Sequence, residues 1–352
     1  VIGWGSIVAS IVAATPLLYA VPSPLIVKGV QVNGFLEFVM TAVFFSMPGV
    51  MLLVLRLVSY RQKGHGLWLS QSRIGGQSGP PFVVEVGRRY EVGQLSQAWS
   101  DAPRPTAPNV EEMIARTWDA ESAVALEEGR TLFNGRVGRL VGLEASDASL
   151  KFRLGETCYR DFLGTNLFHA AEVARLNPAF LADALGISAL VLTRDGYAVL
   201  GRRSRSVVFH AEHLHTFGGL LEEADRTPQG YDLVMSVKRE LVEELGIGST
   251  ELSAITVTGL VRDRAIRQPE LIFDVNISLT RDELIAKFGA RHDDEHTALE
   301  FVADDPDSVV SVLRQTSKIT PVAQAAILLH GRHTWGTPWY EKACFGLYGQ
   351  LP

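Results

Sequence analysis

The sequence predicts an α/β fold, in which strand-forming runs alternate with amphipathic helices behind a strongly apolar amino-terminal segment. Three observations carry this. Two long runs near the start contain no charge, and the strand-like runs 190–194 and 197–201 flank the turn Asp195-Gly196. An acidic amphipathic helix follows the glycine pair Gly218-Gly219. At 352 residues the chain is long for one domain and suits one catalytic unit with additions. A net charge of −6 without a basic block argues against nucleic acid as a partner. Cys158 and Cys344 make no disulfide framework, which fits a reducing compartment.

Taken in order, residues 2–21 run without a charge, long enough to cross a hydrocarbon core of roughly 30 Å. Residues 38–55 form a second such run, joined to the first by a loop with Pro22, Pro24 and Lys28. The pattern predicts a transmembrane helical hairpin over residues 1–58, with the lipid bilayer as a partner. Pro16 and Pro48 are compatible with membrane helices. A cleaved signal peptide fits less well, because a second apolar run follows and no positive segment precedes. A buried hairpin of a soluble protein lacks the polar outward face it needs. Arg56, Arg61, Lys63 and Arg73 follow the second span, against Lys28 alone in the loop. That asymmetry predicts a membrane protein whose remaining chain faces the cytoplasm. The chain begins with Val1 rather than Met, so upstream sequence is expected.

Residues 59–108 read as a linker and the start of an accessory region, rich in Gly, Ser, Pro and Gln, with a strand around 82–86. Residues 109–166 are expected as a small α+β accessory domain. Asn109 is a candidate cap for a helix over 110–128, with Glu111 and Glu112 well placed in its first turn. The run Leu132-Phe133-Asn134-Gly135 and strands over 137–144 and 149–154 follow. Residues 167–345 form the main domain, with further strands at 255–262 and 271–278. Helices are expected at 282–289 and 309–315, and another over 323–329 after Pro321.

The acidic helix is the stretch that carries chemistry. Glu240, Glu243 and Glu244 stand at i, i+3 and i+4, so one face presents all three carboxylates. Val234, Val237, Leu241 and Leu245 occupy another face that can be buried, and Gly246 ends the helix. Like charges at this spacing cost roughly 0.2–0.5 kcal/mol per pair. Bound Mg²⁺ or Mn²⁺, which prefer carboxylate oxygens, would offset that repulsion. A solvated Glu-rich surface is the competing reading. The strand pair and the glycine pair upstream decide against it.

With that context the chain resembles the Nudix hydrolase family. Its box runs Gly, five residues, Glu, seven residues, then Arg-Glu-apolar-x-Glu-Glu-x-Gly-apolar. The second half is intact from Arg239 to Ile247. The first half departs. Counting back from Arg239 puts Tyr231 at the expected Glu and leaves Gly219 too far upstream. An insertion around 224–230 accounts for both, and leaves Glu222 and Glu223 as alternative replacements for the carboxylate. Phe133-Asn134-Gly135, the run Tyr159-Arg160-Asp161-Phe162-Leu163-Gly164-Thr165-Asn166, and Gly201-Arg202-Arg203-Ser204 are similar to one branch. So is the run from Thr320-Pro321 to Gly331-Arg332. That branch comprises the animal UDP-glucose/UDP-galactose diphosphatases, which have a small amino-terminal domain and an expanded box.

The resemblance implies an α/β/α sandwich with a mixed sheet for the Nudix domain. It implies Mg²⁺- or Mn²⁺-dependent hydrolysis of a nucleoside diphosphate sugar to UMP and a sugar 1-phosphate. Glu240 and Glu244 would be the metal ligands, joined by the backbone carbonyl near Gly219. Glu243 would complete the site or orient water. The substrate residues would be Phe133, stacking on uracil, with Tyr159, Arg203 on the diphosphate, and Glu222. Glu270 and Glu295 are candidates for a further carboxylate. Arg160 and Asp161 read as a structural ion pair, and His210, His213 and His215 lack zinc spacing with cysteines. Alternatives are another diphosphate substrate (ADP-ribose, NADH or coenzyme A) or a non-catalytic nucleotide-sensing domain.

Overall fold

The computed structural model describes residues 26–27, 30–31, 79–291 and 295–352. The chain divides into two compact units, Val1–Gln77 and Ser78–Pro352. In the first, β1 (Ile26–Val27) pairs antiparallel with β2 (Val30–Gln31), Val27 opposite Val30. This corrects the expected fold class. Among the described residues no helix is long and apolar enough to cross a membrane. β1 and β2 stand at the loop of the expected transmembrane helical hairpin. β-Branched Ile26, Val27 and Val30 flank the two-residue connection Lys28-Gly29, a pattern that favours strand pairing. The rest of the hairpin expected over residues 1–58, and the orientation drawn from its flanking charges, lie outside the described residues. The lipid bilayer expected as a partner loses its support with the hairpin.

The second unit opens with β3 (Phe82–Val86), β4 (Tyr90–Glu91) and β5 (Leu95–Trp99). The next element, α1 (Pro108–Glu127), starts ahead of the expected Asn109 cap, with Ala107 in the capping position. Pro108 explains the shift, because its φ is pre-set for a helix and it has no N–H to satisfy at the first position. β6 (Arg136–Ala145) and β7 (Leu150–Cys158) pair antiparallel, and β5 adds parallel to β7. A single helical turn, Tyr159–Phe162, runs into a wider turn, Leu163–Leu167, and then α2 (Ala170–Leu176). Asp161 is ion-paired as expected, but with Arg104 at 2.9 Å rather than with its neighbour Arg160.

The main sheet is built from β8 (Gly186–Leu192), β9 (Tyr197–Arg203), β10 (Leu214–His215) and β11 (Phe217–Leu220). A small ribbon, β12 (Arg226–Thr227) with β13 (Gly230–Tyr231), precedes α3 (Leu233–Leu245). Then come β14 (Leu252–Asp263), β15 (Pro269–Ile277), α4 (Arg281–Ala290) and β16 (His296–Ala303). Helices α5 (Pro306–Gln315), α6 (Pro321–Trp335) and α7 (Thr337–Tyr348) close the chain. The strand order is β10-β9-β8-β15-β14-β3, with β11 on β8, β16 on β9 and β4 on β14. β15 runs parallel to β8 while its other neighbour, β14, is antiparallel, so the sheet is mixed.

Side-chain alternation divides the core into two layers. Ile187, Ala189 and Val191 of β8, with Leu271, Phe273 and Val275 of β15, pack against Val237, Leu241 and Leu245 of α3. Leu190, Leu192 and Ile272 point the other way, into a core with Ala326, Ile327 and Leu329 of α6 and Tyr340 of α7. Helices therefore cover both faces of a mixed sheet, as the expected sandwich requires.

Candidate active site

The acidic helix is held at both ends. Asp232 caps α3 by accepting from the N–H groups of Val234 and Met235, at 3.1 and 2.9 Å. Gly246 ends it in the left-handed conformation at φ 69°. Burying Leu233, Val237, Leu241 and Leu245 turns Glu240 and Glu244 inward; they keep only 9% and 1% of their surface exposed. Glu243 stays exposed and accepts from Arg239 Nη1 at 3.1 Å.

β11 lies beside the two buried carboxylates. The Gly218 N–H donates to Glu244 Oε2 at 2.8 Å. A side chain at Gly219 would put its Cβ 2.7 Å from Glu240 Oε1, so the glycine makes room for this carboxylate. Glu244 Oε1 has no hydrogen-bond partner. Burial raises the Glu244 pKa well above the usual range, and the charges of Glu295 and Glu240 add to it. Burial also pushes Glu240 up to about 7, opposed by Arg239 and reinforced by Glu243, Glu222 and Glu295.

Arg239 is the hinge between helix and insertion. Its Nε and Nη2 donate to the two oxygens of Asp225, each at 3.0 Å, and Nη2 pairs with Glu240 Oε1 at 2.9 Å. Asp225 is 4% exposed and also accepts from Ser236 Oγ and the Glu222 N–H. It supplies the carboxylate that faces Arg239, whereas Glu222 and Glu223 are exposed. Sequence reasoning missed Asp225 because only the fold of the insertion brings it to Arg239. Tyr231, at the position counted for the box Glu, is fully buried. Its N–H donates to Gln97 Oε1 and its carbonyl accepts from Gln97 Nε2, which fastens the insertion to β5.

Arg203, at the end of β9, pairs with Glu295 Oε1 at 2.9 Å through Nη1, and its buried Nε has no partner. Its charge acts to lower the pKa of both Glu244 and Glu270. Glu270 is buried on β15 over Gly186 of β8 and accepts from Gln268 Nε2 at 3.1 Å. Burial pushes its carboxyl up to about 8, against the opposing effects of Ser188 and Arg203. The structure thus gathers Glu240, Glu244, Gly218, Gly219, Arg203 and Glu295. Phe133 is 82% exposed just before β6. Tyr159 is half-buried, 6.3 Å from the Phe162 ring, and packs with Trp118, Leu132 and Phe168 around Leu163 and Ile266.

Among the described residues no three His, Cys, Asp or Glu side chains stand as a ready metal cluster. The donor chemistry still fits a hard divalent cation. Two buried carboxylates lie one helical turn apart, and one of them has an unpartnered oxygen.

No protein-family model matches the chain. Human "uridine diphosphate glucose pyrophosphatase NUDT22" is 27% identical over 288 residues, 74% of this chain and 92% of that protein. The chain resembles the Nudix hydrolases of this branch. "Nudix hydrolase 9" of Arabidopsis thaliana is 27% identical over 232 residues, 56% of this chain and 73% of that protein. DR0079 from Deinococcus radiodurans, a solved structure, is 15% identical, covering 42% of this chain and 81% of its own, with a TM-score of 0.32. Under that resemblance α3 carries the second half of the box, and β12, β13 and the turn holding Asp225 stand where the lengthened first half is expected.

Proposed function

We propose that this Nudix hydrolase cleaves the diphosphate of a UDP-sugar of the UDP-glucose or UDP-galactose type, giving UMP and a sugar 1-phosphate. The observation that carries the chemistry is the buried pair Glu240 and Glu244 against Gly218 and Gly219, with Glu244 Oε1 left unpartnered. The relatives named as uridine diphosphate glucose pyrophosphatases support the choice of substrate.

Glu240, Glu244 and the Gly219 carbonyl would hold Mg²⁺ or Mn²⁺. Such an ion supplies positive charge that offsets the charge developing on the phosphates and lowers the pKa of water. Arg239, fixed by Asp225, holds Glu240 in place. Glu243, at the exposed edge, completes the site or orients water. Arg203 binds diphosphate oxygens through its guanidinium. Phe133 stacks on uracil with help from Tyr159, and Glu222, whose charge acts on Glu240, contributes to substrate binding. Water adds across the bridging P–O bond: its oxygen joins one phosphorus, and the bridging oxygen leaves with the other phosphate. Glu270 keeps its proton near neutrality, which makes it a poor base, and Glu295 is the better placed of the two later carboxylates.

The test is a chromatographic screen for the two phosphomonoester products of UDP-glucose, UDP-galactose, ADP-ribose, NADH and coenzyme A, with and without Mg²⁺. UDP-sugars are expected to turn over fastest, and only with the metal. Intact nucleotide binding without turnover of any of these compounds would overturn the enzyme reading.

A further inference from the structure

His296 opens β16 and is almost completely buried, yet neither ring nitrogen has a hydrogen-bond partner. Its Nδ1 lies 3.5 Å from Glu244 Oε1, the unpartnered oxygen of the buried acidic pair. Two buried polar groups near each other and without partners are costly unless something brings them into register. The surroundings are shaped to the ring. A Cβ on Gly201 of β9 would come within 2.8 Å of His296 Nε2, and the Phe217 ring packs edge-on at 5.2 Å. The strand beneath and the aromatic beside it confine the imidazole and leave Nδ1 within 3.5 Å of the carboxylate.

We propose that His296 is the positioning residue for Glu244, donating Nδ1–H to Oε1 while the Gly218 N–H holds Oε2. Each oxygen then has one lone pair engaged and one free, and the carboxylate is aimed rather than loose. The inference rests on the metal role proposed for Glu244. It separates His296 from Glu295, one residue earlier, which is bound up with Arg203.

The test uses Mn²⁺ binding to the full chain, followed by the EPR signal of free Mn²⁺, so that no turnover is needed. The variants are His296→Asn, whose amide nitrogen falls where Nδ1 was, His296→Gln, whose amide reaches the Nε2 position instead, and His296→Phe. Asn is expected to bind Mn²⁺ close to wild type, while Gln and Phe bind about 10- to 100-fold more weakly. Near-ultraviolet circular dichroism checks packing. If Phe fails to fold, the Asn and Gln pair alone decides. Equal Mn²⁺ affinity in those two, or wild-type affinity in Phe, overturns the proposal. Wild-type binding that Glu244→Gln abolishes and no His296 variant weakens would remove this role alone. A wild type that binds no Mn²⁺ would remove the metal site as well.

Discussion

Glu244 combines two properties that rarely coexist at one residue: almost complete burial and an oxygen with no partner. A buried carboxyl without compensation is destabilising, so its retention argues for use. Glu244→Gln keeps the shape and removes the charge. Turnover should fall by at least about a hundredfold, roughly 2.7 kcal/mol or more in the barrier, with an unchanged circular dichroism spectrum. Persistent activity would show that the ligand assignment is wrong. For Phe133 the expectation is different, because an exposed ring contributes little to the fold. Phe133→Ala should raise KM for UDP-sugars selectively, leaving ADP-ribose unaffected, and an unaltered KM would reject stacking. Glu240 and Glu244 were legible because helical spacing alone sets their face. Asp225 was not, since its partner Arg239 is reached only when a turn, a ribbon and a helix close on one another. His296 was equally hidden, because its meeting with Glu244 is made between a strand and a distant helix.

At the level of elements, α3 and the insertion before it act as one unit joined through the Asp225–Arg239 pair. Most elements of the main domain could be placed from period-2 and period-3.6 patterns, and the turn Asp195-Gly196 was placed correctly, with Gly196 at φ 82°. The insertion carries no such pattern. Tyr231, at the position counted for the box Glu, is a buried anchor on Gln97, and the carboxylate that faces Arg239 is that of Asp225. Asp225→Ala should therefore cost about 3 kcal/mol, as expected when one partner of a buried pair is removed. Glu222→Gln, at an exposed position, should stay within about 0.5 kcal/mol. Urea unfolding midpoints of the two variants test this. A costlier Glu222 substitution would reverse the assignment.

For the molecule as a whole, the issue is how the outer helical layer is tied to the sheet. Apolar packing of α6 was foreseeable from its composition, but its polar fastening was not, because the three residues involved are far apart in sequence. His330 of α6 bridges Asp274 on β15 through Nδ1 at 2.8 Å and Asp304, just after β16, through Nε2 at 2.9 Å. Burial alone would lower its pKa; the hydrogen bonds and charges of the two aspartates prevail and push it up to about 10. The folded state thus binds a proton more tightly than the unfolded chain, whose histidine titrates near 6.5. This contribution is fully present below about pH 6.5 and is lost as the pH rises through about 10. Its slope is at most about 1.4 kcal/mol per pH unit. His330→Asn removes the titrating group while keeping hydrogen-bonding capacity. Wild-type stability, measured by urea unfolding between pH 7 and 9.5, should fall more steeply with pH than that of the variant. Parallel curves would mean that His330 does not carry its proton in the folded protein.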